Sequence, residues 1–590
     1  MAETLISPGV LARENDQSFI QQNPLNFGAA IIGPAVKGPV EKPTLVTSFS
    51  EYQAIFGQTV ESASLQYSYL TSTAANNYFR QGGTSLLVTR VTHGDFAPAF
   101  TSGSTAGSGN SGIMNTETSE SIVLQTISEG TIMNNYQTAD AASGTLSLGS
   151  ADNVRWQIAG VNTGSGTFSI IVRQGNDTSN SPSILETWND LSLDPFQPNY
   201  IARVLGNTTY EIAQDGADYY VKATGDFLNR SRYINVKSVL TPTPNFFNNA
   251  GGVSSGSAGT LYSKFIPVAS SGSFTGATGE NVQASMSPAK FNSAITDTNI
   301  QGLTATDYSA SISLLNNKDD YNFNVVVAPG LIGDSSFTTS LVQVNSLVAL
   351  AENRQDCITV VDPSAYGKTV SQTVASATAF DSSYAAAYWP WLQAIDPTSG
   401  MTTWSPASAF IPGVYSFTDA SSEPWFAPAG LVRGALGNVI RAEQRLTSGQ
   451  RDTLYSGNVN PIATFPASGV VVFGQKTLQR RASALDRVNV RRLLIAVKSF
   501  IVQVSDNLVF EQNTISTRNN FLTQVNPYLE SVQQRQGLYA FKVVMNETNN
   551  TPDVIDRNEL VGQIYLQPTK TAEFIILDFN VLPTGVDFPA

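Results

Sequence analysis

The sequence predicts an α+β multidomain protein: a discontinuous α/β core domain built from both chain ends, β-rich sandwich- or barrel-like surface insertions, and extended terminal arms. Three observations carry this. Strand–helix–strand patterning fills the first 95 residues, breaks off, and resumes near residue 320. The stretch between is poor in charge and rich in Ser, Gly and Thr. Both chain ends read as extended. A length of 590 residues suggests about four domains, and a hydrophobic content of 41% is enough for large cores.

The elements follow in order. Ala29–Gly33 is an apolar run stopped by Gly33-Pro34, and Gly38-Pro39 breaks the chain again. Thr44–Thr47 reads as a strand. Ser48 or Ser50 caps a short helix that ends at Gly57, where a left-handed cap is sterically free. Leu65–Arg80 keeps helical spacing up to Gly82-Gly83, and Leu86–Val91 reads as a strand. From Thr101 to Gly112 the chain is TSGSTAGSGNSG, and alternating stretches then recur at Phe168–Val172, Asn199–Leu205 and Tyr219–Val221. Tyr321–Gly330 is a buried-type strand halted by Pro-Gly. Leu341–Glu352 has helical spacing, and Cys357–Val361 completes a βαβ unit. The predicted division is an arm at 1–20, an α/β domain from 21–95 with 320–480, a β-rich insertion at 96–320, an assembly domain at 481–570 and a terminal strand at 571–590.

Composition excludes several classes. With 33 Lys+Arg against 46 Asp+Glu the net charge is −13, which argues against nucleic acid as a partner. One cysteine, Cys357, permits no intrachain disulfide and no Cys-ligated zinc finger. One histidine, His93, rules out a site needing two imidazoles. The amino terminus has no basic or apolar signal region, and the apolar runs are strand-length, far short of the ~18 residues of a membrane span. The expectation is a soluble protein of a reducing cytoplasm, with no direct membrane insertion.

Motif matches weigh little. Gly107, Gly109 and Gly112 spell GxGxxG, but no strand precedes them and no helix follows, so low complexity explains them. Gly252-Val253-Ser254-Ser255-Gly256 matches GxSxG, again within a Ser/Gly block rather than a strand-to-helix elbow. His93 reads as a loop histidine and Cys357 as a small buried hydrophobe. No carboxylate pair has a spacing that singles it out. The expectation is no catalytic residue, no cofactor and no metal.

Charge is segregated. Residues 439–510 hold ten basic against four acidic residues, so this stretch is +6 and the remainder −19. Within it Val490, Leu493, Leu494, Val497 and Ile501 form the apolar stripe of an amphipathic helix, and Arg487, Arg491 and Lys498 line a strip beside it. Ser7-Pro8-Gly9-Val10 cannot be helical. Ile575, Leu577, Phe579 and Val581 alternate with Asp578 and Asn580 as a terminal strand. Extended arms of this kind seek the open edge of another sheet.

Several strings resemble the contractile tail sheath proteins of long-tailed, myovirus-type bacteriophages. They are SPGV at 7–10, Gly28-Ala29-Ala30, Gly33-Pro34-Ala35, Phe56-Gly57, DRVNVRRL at 486–493, VFEQN at 509–513, NETNNTPDVIDRNELVGQIYLQPTK at 546–570 and TGVDF at 584–588. The resemblance covers roughly 1–95 and 320–590. It implies a non-enzymatic mechanical polymer: copies form stacked hexameric rings, a six-start helix, around a tail tube, with terminal arms lent to neighbours. It implies contraction that drives the tube through the host envelope, and as partners other copies, the tail tube protein, and baseplate and tail terminator proteins. It places the protein in the virion after assembly in the host cytoplasm. The alternative is a sheath subunit of a bacterial contractile injection system. Charge segregation makes Arg487, Arg491 and Lys498 the expected tube-facing residues; the alternatives are a solvated helix face and intramolecular ion pairs of Arg491-Arg492 beside Asp486-Arg487.

Overall fold

A computed structural model of the chain describes residues 28–62, 65–101, 112–117, 119–135, 144–216, 218–280, 287–396 and 399–573. The amino-terminal arm 1–20 with Ser7, Pro8, Gly9 and Val10, and the terminal residues Ile575, Leu577, Phe579 and Val581, lie outside the described residues, as do Gly107 and Gly109. The architecture is mixed α/β with several domains.

Its centre is an eight-stranded sheet. In spatial order the strands are Thr44–Val46, Leu86–Arg90, Ala29–Gly33, Val325–Val327, Ile358–Val361, Ala385–Trp389, Val459–Phe465 and Gly469–Val472. The six inner strands pair in parallel, and each edge strand joins antiparallel. Parallel strands need crossovers, supplied by helices such as Leu70–Arg80, Thr338–Arg354 and Val370–Ala377. Helices on both faces explain the continuous apolar runs AAIIG, VVV and ITVV. Successive residues enter opposite cores: Ala30, Ile32 and Val326 pack on one side, and Ala29, Ile31, Val325 and Val327 on the other.

Local chemistry sets the short elements. Ser48 accepts a hydrogen bond from Glu51 N at 3.2 Å and starts the helix Phe49–Phe56; Gly57 ends it with φ +70°. Two expectations are corrected. Leu65–Arg80 is not one helix: Leu65–Ser68 is a strand paired with Thr59–Ser62, because Tyr67 and Tyr69 project to one side and close on Phe291 at 5.2 and 5.8 Å. Asn199–Leu205 is not a strand: Ile201–Leu205 is a helical turn whose buried residues Ile201, Ala202 and Leu205 fall at i, i+1 and i+4.

Between residues 96 and 287 two further sheets face one core. One holds Ile184–Ser192, Thr167–Gln174, Val154–Asn162 and Ser270–Gly272; the other contains Ile234–Val239, Glu120–Glu129, Pro98–Thr101, Phe274–Thr275 and Ile113–Met114. Ile158, Ile170 and Val172 from the first meet Ile122, Leu124 and Val236 from the second. Arg173 and Arg155 converge on the buried carboxylate of Asp177 at 2.7 and 3.3 Å. The two ends of this segment pair with each other, Ala97 N donating to Thr278 O at 3.1 Å. The central sheet grips it from the side: Arg90 Nη1 donates to the carbonyls of Gly38 at 2.6 Å and Glu129 at 2.8 Å, and Lys37 Nζ lies 3.4 Å from Asp152 Oδ1. The GxSxG string lies in a hairpin-like turn, with Phe247 bridged to Val253 and Ser255 to Leu261.

The remaining domain packs two long helices, Val488–Asp506 and Ile515–Gln534, against an antiparallel pair of strands, Leu538–Val544 and Gln563–Pro568. Among the described residues no helix is long and apolar enough to cross a membrane, and no cluster of three His, Cys, Asp or Glu could hold a metal ion.

Candidate assembly interface

The helix Val488–Asp506 follows from its apolar stripe. Val490, Leu493 and Val497 are buried, and Leu493, Val497 and Phe500 meet Phe521, Val525 and Leu529 of the second helix. Phe500 stacks on Tyr528 with ring centres 3.8 Å apart. Thr514 caps that second helix by accepting from Thr517 N at 3.3 Å.

The three cations expected to face a tube lie along the seam between this helix and the chain's own central domain. Arg491 is buried, with its guanidinium 3.9 Å from the centre of the Tyr384 ring and its Nε donating to Ser383 O at 3.3 Å. Burial lowers its pKa. Arg487 is half-buried and ion-paired with Glu573 at 2.8 Å and Asp486 at 3.0 Å. Lys498 is exposed, and its Nζ donates to Gln355 Oε1 at 3.0 Å. The strip is therefore not a continuous positive surface: its spacing of four and seven residues aims two of three side chains at the domain behind the helix. Neighbouring cations are likewise held by aromatic rings. Arg441 stands over Trp404, Arg451 over Phe465, Lys476 over Tyr455 and Arg492 over Tyr415. Arg492 also binds both oxygens of Asp419 at 2.6 Å. Within the basic stretch 439–510, Arg491, Arg492 and Lys498 tie the long helix to the central domain, whereas Arg441, Arg451 and Lys476 brace the central domain itself.

Three two-stranded sheets occur among the described residues, and one of them lies in this domain. Ile564 and Leu566 turn towards Val525, Leu529 and Val532 of the second helix, while Tyr539 and Tyr565 are exposed. Leu538–Val544 and Gln563–Pro568 pair only with each other, so among the described residues no further strand covers either outer edge. A pair of strands is marginal alone; here the helices hold one face and leave unpaired backbone at the margins.

Beyond the sheet the chain turns back to the central domain. Arg487 donates to Glu573 through Nε at 2.8 Å and Nη2 at 3.1 Å. Tyr455 Oη donates to Glu573 Oε2 at 2.6 Å and Gln475 Nε2 to Oε1 at 3.0 Å. Gln475 Nε2 also reaches Thr571 Oγ1 at 2.5 Å. Burial pushes the Glu573 carboxyl up, but the bonds from Tyr455, Arg487 and Gln475 outweigh it and hold the pKa below its ordinary value. Sequence reasoning singled out Arg487 and its neighbour Asp486 but not the three residues that meet at this site. Tyr455, Gln475 and Glu573 are far apart in the chain and no local pattern joins them.

This mixed α/β multidomain fold is shared with sheath tail proteins. A sheath tail protein from Listeria innocua superposes with a TM-score of 0.51 at 10% identity, over 92% of this chain and 95% of that one. In sequence, residues 301–478 match the phage tail sheath protein central domain and residues 481–582 the phage tail sheath C-terminal domain. The tail sheath protein of Vibrio phage KVP40 is 32% identical over 313 residues, covering 48% of this chain and 46% of the relative. That of Enterobacteria phage T4 is 33% identical over 303 residues, covering 48% and 46%. Two phage tail sheath domain families thus match residues 301–478 and 481–582, and the chain spans about half the length of the curated relatives it matches.

Proposed function

We propose that the chain is the structural and mechanical subunit of a contractile phage tail sheath. Copies polymerise as stacked hexameric rings in a six-start helix around a tail tube, between baseplate and tail terminator, and shorten to drive the tube through the host envelope. The subunit is made in the host cytoplasm and becomes part of the virion. It needs no enzyme chemistry and no cofactor: a modest conformational free-energy difference per copy, small against the roughly 5–15 kcal/mol that stabilises a domain, accumulates along the polymer. The α/β core from both chain segments carries the outer insertion, and the helical domain provides assembly contacts.

The observation that carries the reading is the two-stranded sheet with unpaired margins within the segment matched by the sheath C-terminal domain. Arms lent by neighbours, residues 7–10 and 575–581, add strands to it. Such head-to-tail contact makes rings and helices rather than closed dimers. The phage setting is favoured over an injection apparatus because the relatives above 30% identity are phage tail sheath proteins. The test is removal of residues 1–15. A folded subunit that no longer polymerises is expected; full-length sheaths from the truncated chain would refute the lent arm.

A further inference from the structure

Residues 569–573 have no regular secondary structure, yet they follow a fixed path. Thr569 is tied to the foot of the two-stranded sheet, its N and Oγ1 donating to Gly537 O and Gln536 O at 3.2 and 2.7 Å. Thr571 and Glu573 are then held by the central domain. The groups that hold them belong to three separate segments, each fastened to the central sheet. Tyr455 lies in the last turn of the helix Ser448–Ser456 that leads into the strand Val459–Phe465. Gln475 precedes Lys476, whose backbone N and O both bond the side chain of Asn460 in that strand, at 2.6 and 2.7 Å. Arg487 opens the long helix and bridges back to Lys476, while Val488 N donates to Gln475 O at 2.8 Å. The remaining charges at the site are Asp486, paired to Arg487, and the Lys476 ammonium, which donates to Tyr455 O at 2.8 Å.

We propose that this clasp on Glu573 anchors the carboxy-terminal arm, so that pull exerted by the copy receiving the arm is delivered to the central sheet through Tyr455, Gln475 and Arg487. The inference rests on the lent-arm reading above. Without the clasp the arm hangs from the end of Gln563–Pro568, and tension peels a two-strand sheet one hydrogen bond at a time. With it, the bidentate arginine pair, the tyrosine and the glutamine are loaded together, and the small sheet is relieved.

Lys570 stands beside the clasp and is exposed, which gives a direct assay with trypsin. Glu573→Ala is expected to be cut after Lys570 about tenfold faster than the unaltered chain, through easier local opening, while its thermal unfolding stays cooperative. Sheaths built from it should fragment under shear that intact sheaths survive. Adding Gln475→Cys with Thr571→Cys, oxidised, should restore both protection and shear resistance. Should Glu573→Ala not fold, the same comparison is made on the two-cysteine variant with Glu573 kept, acylated at both thiols against oxidised, and the acylated form should be the weaker. Equal cleavage and equal shear survival overturn the clasp. Removal of residues 574–590 separates the two readings. If it blocks assembly while Glu573→Ala sheaths stay robust, the anchor fails and the lent arm stands; if it leaves assembly intact, the lent arm fails and the anchor with it.

Discussion

The Arg491 guanidinium lies against the ring of Tyr384, 3.9 Å from its centre, and joins the long carboxy-terminal helix to the turn before the strand Ala385–Trp389. Removing it leaves the Ser383 carbonyl without this donor and a void beside the ring. Arg491→Ala is expected to cost about 2 kcal/mol, read as a lower urea midpoint. An unchanged midpoint would contradict a packing role.

Lys498, the exposed member of the strip, is where attraction to a tube is still to be sought. Lys498→Glu should leave stability within roughly 0.5 kcal/mol of the parent and impair assembly on tubes at low ionic strength, with the defect fading as salt rises. Normal assembly at low salt removes Lys498 from the tube contact.

Asp362 follows the strand Ile358–Val361 and is buried, with Ser408 N and Oγ donating to its carboxylate. Burial raises its pKa from 3.8 to about 7, more than the Ser408 bonds lower it. The folded chain therefore holds this proton where the unfolded chain has lost it. Its contribution is complete below pH 3.8 and disappears as pH rises towards 7. Asp362→Asn should flatten that part of the stability–pH curve; an identical slope in both proteins would show that another group sets it.

Lys37 and Asp152 fasten the inserted β-sheet segment to the central sheet. Asp152→Ala leaves a largely buried ammonium with only the Asp152 carbonyl, at an expected cost of about 2 kcal/mol. Lys37→Met in the same chain should recover much of it, because replacing both charges avoids the unpaired one. Equal unfolding midpoints for parent and single variant would show the pair to be idle.

The sequence spelled out the parallel strands because burial on both faces writes itself as AAIIG, VVV and ITVV, and the helix at 49–56 because Ser48 and Gly57 mark its ends. It misled at Leu65–Ser68, where Tyr67 and Tyr69 obey a partner, Phe291, more than 200 residues away. The start of the helix Thr338–Arg354 was equally hidden. Its free N–H groups at Thr339 and Ser340 are satisfied by Asp297, at 3.1 and 2.9 Å, a residue from another segment. The candidate interface was legible as an amphipathic helix with cations beside it. Which way those cations point was not, since Tyr384, Gln355 and Glu573 are remote in the chain.

The pairing of Ala97 with Thr278 has an evolutionary corollary. A segment of nearly two hundred residues leaves and rejoins the protein at one point, so it can be exchanged, enlarged or pruned as a cassette while the framework beneath keeps its geometry.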